Sequence, residues 1–214
     1  MKKIVEKRIL KIRAAVVFFV TFLLITCCSG LVNYSQVKEE KLKAAYTAES
    51  TVSRVESQLN KYLAESNLMK RIVEEGYDVD DEEFATLSGL MQDENYVIEA
   101  HEMAKDGIVG QVYPMKGNEE ALGLNMLENP ARKKEANLAK ETGQYTIAGP
   151  YELVQGGTGA LLFDPIYRDH NGQKSFWGFS ILVINWEKFI EDIELDKLER
   201  ANYNYRIWKK NLYS

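Results

Sequence analysis

Few residues in this sequence can do chemistry, and their spacing limits what that chemistry is. The stretch YELVQGGTGALLFDPIY, residues 151–167, sets the glycine cluster Gly156-Gly157-Thr158-Gly159 between two apolar runs. A phosphate-cradling loop of the Walker kind needs a lysine and a hydroxyl residue directly after its last glycine, then a helix. Here Gly159 leads into Ala160-Leu161-Leu162-Phe163 and Pro165 bars a helix, so the glycines read as a turn between strands. The two histidines, His101 and His170, lack a Cys, Asp or Glu at metal-ligand spacing. No His-Glu-x-x-His helix, serine elbow or Cys-x-x-Cys motif is present. The expectation is a chain that is no enzyme and carries neither cofactor nor metal.

Two charged side chains stand out instead. Arg132 follows the pair Asn129-Pro130, a cap with proline at the first helical position, where N–H groups and the helix dipole also favour an anion. Its competing role is an i, i+4 pair with Glu128 on a solvated face. Asp164 interrupts an apolar run just before Pro165. Both are candidates to orient a small guest bearing a carboxylate or phosphate.

The elements that must position them begin with an apolar segment. Ala14 to Val32 is 19 residues without a charge, long enough at about 1.5 Å per residue to cross a bilayer core of about 30 Å. Six basic residues and one acid precede it, an asymmetry that keeps residues 1–13 in the cytoplasm and sends the chain beyond the 14–34 span outside. A cleaved signal peptide shares this pattern but wants an Ala-x-Ala-like site. A lipoprotein reading would use Cys27 or Cys28, with Thr26 and Cys27 poor residues to precede the modified cysteine. Of 27 basic and 32 acidic residues, 21 and 31 lie beyond residue 13, a net of about −10 that disfavours nucleic acid and anionic lipid. Both cysteines lie in the apolar segment, so the exported part has no disulfide.

Residues 35–76 read as a long stalk helix. Ala45, Ala48, Val52, Val55, Leu59, Tyr62, Ser66, Met69 and Val73 alternate spacings of 3 and 4, a heptad seam. The seam suits a helix laid on its own domain and also pairing with a second copy through Val52, Val55, Leu59 and Tyr62. Gly76 ends it. A small helix near residues 84–91 is followed by a period of two over 96–101, an Asp106-Gly107 hairpin turn, and a return strand over 108–113. Helices are then expected from Asn118 to Leu127 and from Asn129 to Gly143, and strands at 145–148, on either side of the glycine turn, and at 176–184. A last helix carries Trp186, Phe189, Ile190 and Ile193, and residues 202–208 read as a strand just begun. The expected fold is α+β: an N-terminal membrane helix and long stalk helix, then an antiparallel sheet with flanking helices. That build is similar to PAS-like sensor modules. It places the module at 77–196 and the start of a second, incomplete one at 197–214.

The segments YPMKGNEEALGLNML, NPARKKEANLAKETGQYTIAGPYELVQGGTGALLFDPIY and GFSILVI together resemble the CHASE domain, the extracellular sensory domain of bacterial, plant and other receptors. The ordered set Gly123, Ala139, Thr142-Gly143, Gly149-Pro150, Leu153, Gly159 and Pro165-Ile166-Tyr167 carries the resemblance. It implies a receptor with a long N-terminal helix, two PAS-like units and a cytoplasmic output such as a histidine kinase or diguanylate cyclase. Plant members bind cytokinins through an aspartate that aligns at Arg132 and a threonine that aligns at Phe163. Both differ here, so the cytokinin ligand does not carry over.

In such a module the ligand cavity lies between the concave sheet face and the helices after Pro114. Its expected walls are Tyr113, Met115, Leu124, Met126, Tyr145, Ile147, Leu161, Phe163 and Phe179, with Arg132 and Asp164 as polar anchors. The reading is a membrane-anchored, homodimeric receptor part that senses a small molecule outside the cell. The alternative is a tethered binding protein without signalling output.

Overall fold

The computed structural model describes residues 2–92, 94–153 and 156–206 of the 214-residue chain, side chains of 2–8 and 170 excepted. It divides into two units, Met1–Ser50 and Thr51–Ser214. The first is helical throughout its described length, within α1 (Lys2–Glu74). Its apolar side chains from Val16 to Ile25 are exposed, while Thr21 and Thr26 donate their hydroxyls back to carbonyls three and four residues earlier. Apolar surface outside and threonine hydroxyls satisfied within the helix suit a lipid environment. By length and composition this helix can cross a membrane.

The second unit is built on a five-stranded antiparallel sheet: β1 (Ile98–Lys105), β2 (Ile108–Tyr113), β3 (Thr146–Glu152), β4 (Thr158–His170) and β5 (Gln173–Asn185). The strand order is β2-β1-β5-β4-β3. Hairpin turns explain the strand pairs. Asp106 and Gly107 both take positive φ, as the Asp-Gly turn expects, and Asn171-Gly172 does the same between β4 and β5. Gly156 and Gly157, with φ of 93° and 76°, turn the chain from β3 into β4. The glycine cluster is therefore a hairpin bend. At Gly178, β5 passes so close to β1 that an added Cβ would lie 2.2 Å from the Ala104 carbonyl.

One face of the sheet is covered by residues 51–74 of α1, by α2 (Asp81–Met91), and by α4 (Trp186–Asp192) and α5 (Asp196–Arg200). Asp80 starts α2 with a capping box to Glu83, and the Asn185 side chain caps α4. Tyr62, Met69 and Val73 of α1 are fully buried, each large apolar side chain contributing about 1.5–3 kcal/mol. This corrects the expected dimer seam. Val55, Leu59 and Tyr62 pack on the chain's own sheet, and of the four seam residues Val52 is exposed. The 3–4 spacing is that of any helix laying one stripe on a core, and the nearest apolar surface is intramolecular.

The other face carries residues 114–132 and α3 (Lys133–Thr142), which ends on Gly143 in the left-handed region. Two expected helices are corrected here. From Asn118 the chain forms one 3-10 turn, Glu119–Ala121, because Gly123 at φ 80° redirects it. It then runs beside β2: Gly123 N–H donates to the Val109 carbonyl at 2.8 Å and Val109 N–H to that of Leu124 at 3.0 Å, which closes the sheet edge. The next helix starts at Lys133, leaving Asn129-Pro130 in the preceding turn. No strand forms over the described part of 202–208, and Tyr203 packs with the α4–α5 cluster. Ile207 and Trp208 lie outside the described residues.

Candidate functional site

In an antiparallel pair, opposed residues share a face and successive residues alternate. Opposing Thr146 to Phe163 and Ala148 to Leu161 puts these four on the α3 side, with Phe179, Ile181 and Val183 of β5. Leu161, Phe163 and Phe179 are fully buried there, the two phenylalanine rings edge-on at 5.5 Å. Met126 is buried against them and Leu124 is half-buried beside them. Five expected wall residues thus meet in one layer.

Five others do not. Tyr113 sits opposite His101 on the other face, packed with Met69, Phe84 and Met103. Ile147 opposes Leu162 and joins the α1 side. Met115 and Tyr145 are exposed. Asp164, one residue after Phe163, necessarily faces α1. Its Oδ1 accepts from Lys70 Nζ at 2.9 Å and its Oδ2 from Ser66 Oγ at 3.3 Å, while Ser66 Oγ lies 3.1 Å from Ser180 Oγ. Tyr145 and Asp164 border an open groove of about 410 Å³ with Asn60, Leu63 and Lys70 of α1.

The sequence placed Arg132 just inside a helix start, and the structure places it just outside one. It is the residue before α3, its amide bonded back to the Asn129 carbonyl at 3.0 Å. It is not the solvated partner of Glu128, for only 4 % of it is exposed. Among the described residues its guanidinium reaches Met126 Sδ at 4.0 Å and stands 5.7 Å from the centre of the Tyr151 ring. These are soft contacts. Neither neutralises a buried cation.

Two candidate polar groups were missed from sequence. Glu102 opposes Val112 and Ile181, so it points into the α3-side layer from β1, and 2 % of it is exposed. Burial lifts its carboxyl to about 7, against the pull of Arg132. Its Oε2 meets no hydrogen-bond partner among the described residues. Burial likewise pushes the Tyr151 phenol up to about 12, Arg132 opposing this and Glu135 and Glu102 adding to it. The Tyr151 hydroxyl is enclosed and interacts with the Arg132 side chain, though short of full hydrogen-bond geometry. A signal for Glu102 was present in the segment Ala100-His101-Glu102-Met103-Ala104, a carboxylate whose same-face neighbours are alanines. Among the described residues no cluster of His, Cys, Asp or Glu could hold a metal ion.

The arrangement can hold a guest by charge and hydrogen bonding. Residues 81–211 match the family model of the CHASE domain, more than half of the chain. No curated protein matches the chain. Among solved structures, an extracellular ligand binding receptor from Desulfohalobium retbaense aligns with a TM-score of 0.52 at 14% identity, over 70% of this chain and 26% of that one. The ligand binding domain of the Pseudomonas aeruginosa amino acid chemoreceptor PctB, in complex with L-Arg, aligns at 0.45 and 15% identity, over 69% and 59%. The E. coli DcuS sensor domain aligns at 0.44 and 14% identity, over 66% and 98%. The chain thus spans about a quarter of the first of these and less than two thirds of the second.

Proposed function

The chain belongs to the CHASE-domain family, and we propose that it is the extracellular sensing part of a membrane receptor whose small ligand is held by Arg132. In this reading residues 14–34 cross the membrane, 35–76 form the stalk, and 77–196 form the sensing module outside the cell. The kinase or cyclase output belongs to a part of the receptor other than these residues. The observation that carries the reading is the burial of Arg132 over soft partners. The nearest carboxyl, Glu102, is pushed towards its neutral form by burial, so the buried cation lacks a full counter-charge, which costs several kcal/mol and which a carboxylate or phosphate guest would supply. Leu124, Met126, Leu161, Phe163 and Phe179 would enclose the guest's apolar part.

The same sheet supplies a route to the stalk. Phe163 and Phe179 face the guest, while their chain neighbours Asp164 and Ser180 grip Ser66 and Lys70 of α1. A guest that reseats β4 and β5 would move that grip, with a free energy equal to its differential affinity for the two packings. Two copies would pair through the part of the heptad seam that the sheet leaves free, where Val52 is exposed.

The test is calorimetry on the full chain in lipid nanodiscs, with small carboxylates, phosphates and amines as probes. Acids are expected to bind, and Arg132→Gln to remove a charged hydrogen bond of about 1.5–3 kcal/mol, roughly 10- to 100-fold in affinity. Binding by amines alone overturns the reading.

A further inference from the structure

Glu102 is the feature that an anion site leaves unexplained. A receptor for a simple acid has no use for a second buried carboxyl in the same layer, where like charge disfavours the guest. Nor does packing need it. Enclosing a polar atom without a partner costs about 1–3 kcal/mol, and an apolar side chain of the same shape would avoid that. Two such atoms, Glu102 Oε2 and the Tyr151 hydroxyl oxygen, lie in this layer with Arg132. Natural interiors rarely tolerate them unless something else completes the bonds.

The side chains around these groups are short. Ala100 and Ala104 flank Glu102 on β1, and Ala136 and Ala139 face the sheet from α3, all fully buried. Against these short side chains, Glu102, Arg132 and Tyr151 are the long polar groups that reach into the layer. Arg132 acts on the Glu102 carboxyl through space, yet the ion pairs among the described residues do not join them. A cation and a carboxyl that share a buried layer without an ion pair between them are matched by a guest that carries both signs, whose ammonium would favour the charged form of the carboxyl.

We infer that the ligand is a small zwitterion, a short amino acid whose carboxylate meets the Arg132 guanidinium and whose ammonium meets the Glu102 carboxylate, with the Tyr151 hydroxyl completing the bonds. This rests on the reading of Arg132 as an anion site. It adds the cation half and so narrows the ligand to one chemical class.

The experiment uses the full chain in nanodiscs. The probes are the twenty common L-amino acids, and for each one its deaminated acid and its decarboxylated amine, read by calorimetry. The expected result is at least one amino acid that binds tenfold or more tighter than both of its truncated forms. Glu102→Gln should then weaken that amino acid at least tenfold and leave its deaminated acid unchanged. The comparison on the unaltered protein stands even where the variant folds poorly. Deaminated acids that bind as tightly as their amino acids overturn this inference and leave the anion site intact. Amines that bind alone overturn both, and a panel without any binder overturns the zwitterion.

Discussion

The grip of Asp164 on α1 offers the sharpest stability test. Lys70 Nζ sits 2.9 Å from Asp164 Oδ1, the two side chains 20% and 8% exposed. Breaking a buried pair by deleting one partner costs about 3–5 kcal/mol, because the other charge is left uncompensated. The two deletions are not equivalent here. In Asp164→Leu the orphaned Lys70 has a flexible stem and a partly open path to water, so its head can leave and the cost falls to about 2–3 kcal/mol. In Lys70→Met the orphaned carboxylate stays on the sheet with Ser66 Oγ at 3.3 Å, so the cost remains at about 3–4 kcal/mol. For a chain of this size about 1 kcal/mol moves Tm by roughly 2–4 °C. Asp164→Leu should therefore lower Tm by about 4–12 °C, Lys70→Met by more, and the double variant should recover at least about 1.5 kcal/mol relative to the sum. The assay is thermal unfolding of the full chain in detergent, followed by the fluorescence of Trp177 and Trp186. Additive losses, or an Asp164→Leu chain as stable as the parent, would refute the claim that this pair ties α1 to the sheet.

Glu102 gives a prediction in pH. Its folded carboxyl titrates near 7 and its usual value is 4.5, so between these the folded state holds a proton that the unfolded state has lost. Stability is therefore full below about pH 4.5 and falls as pH rises towards 7, by about 3 kcal/mol in all. Glu102→Gln should flatten that slope in urea titrations at pH 5 and pH 8; an unchanged slope places the titration elsewhere. Gly178→Ala should prevent folding or cost more than about 3 kcal/mol. The added Cβ would meet the Ala104 backbone 2.2 Å away with φ at 154°. Circular dichroism of the purified variant decides, and a melt within 2 °C of the parent, roughly 1 kcal/mol or less, would show that β1 and β5 can separate there at little cost.

The order of elements was legible because it is written in local chemistry. Asp106-Gly107, the glycines after Glu152 and the stop at Gly143 each act on their own residues. The segment 119–127 was misread for the opposite reason. Its apolar residues have helical spacing, but Gly123 and the open edge of β2 offered backbone bonds that no local rule registers. The heptad seam was correct as a pattern and misassigned as a partner, since a stripe does not say which surface covers it. Arg132 was found because it marks a helix start. Its burial was not visible, because burial depends on which way 114–132 folds back.

Strand parity carries a lesson of its own. Both faces of β4 and β5 are covered, so Ala160-Leu161-Leu162-Phe163 and Ile181-Leu182-Val183-Ile184 read as continuous apolar runs in which neither face announces itself. The expected cavity holds both Phe163 and Asp164, yet adjacent residues of a strand cannot share a face. That rule admits only one of them. With Phe163 inward, Asp164 needs a cationic partner on the helix side, and Lys70 stands on the buried stripe one turn after Ser66. The same rule joins Glu102 to Ala100 and Ala104 and separates it from His101 and Met103. Under the proposed reading this alternation links the two faces: the groups that would feel a guest and the groups that hold α1 are neighbours along one strand, so a shift of that strand would reach both.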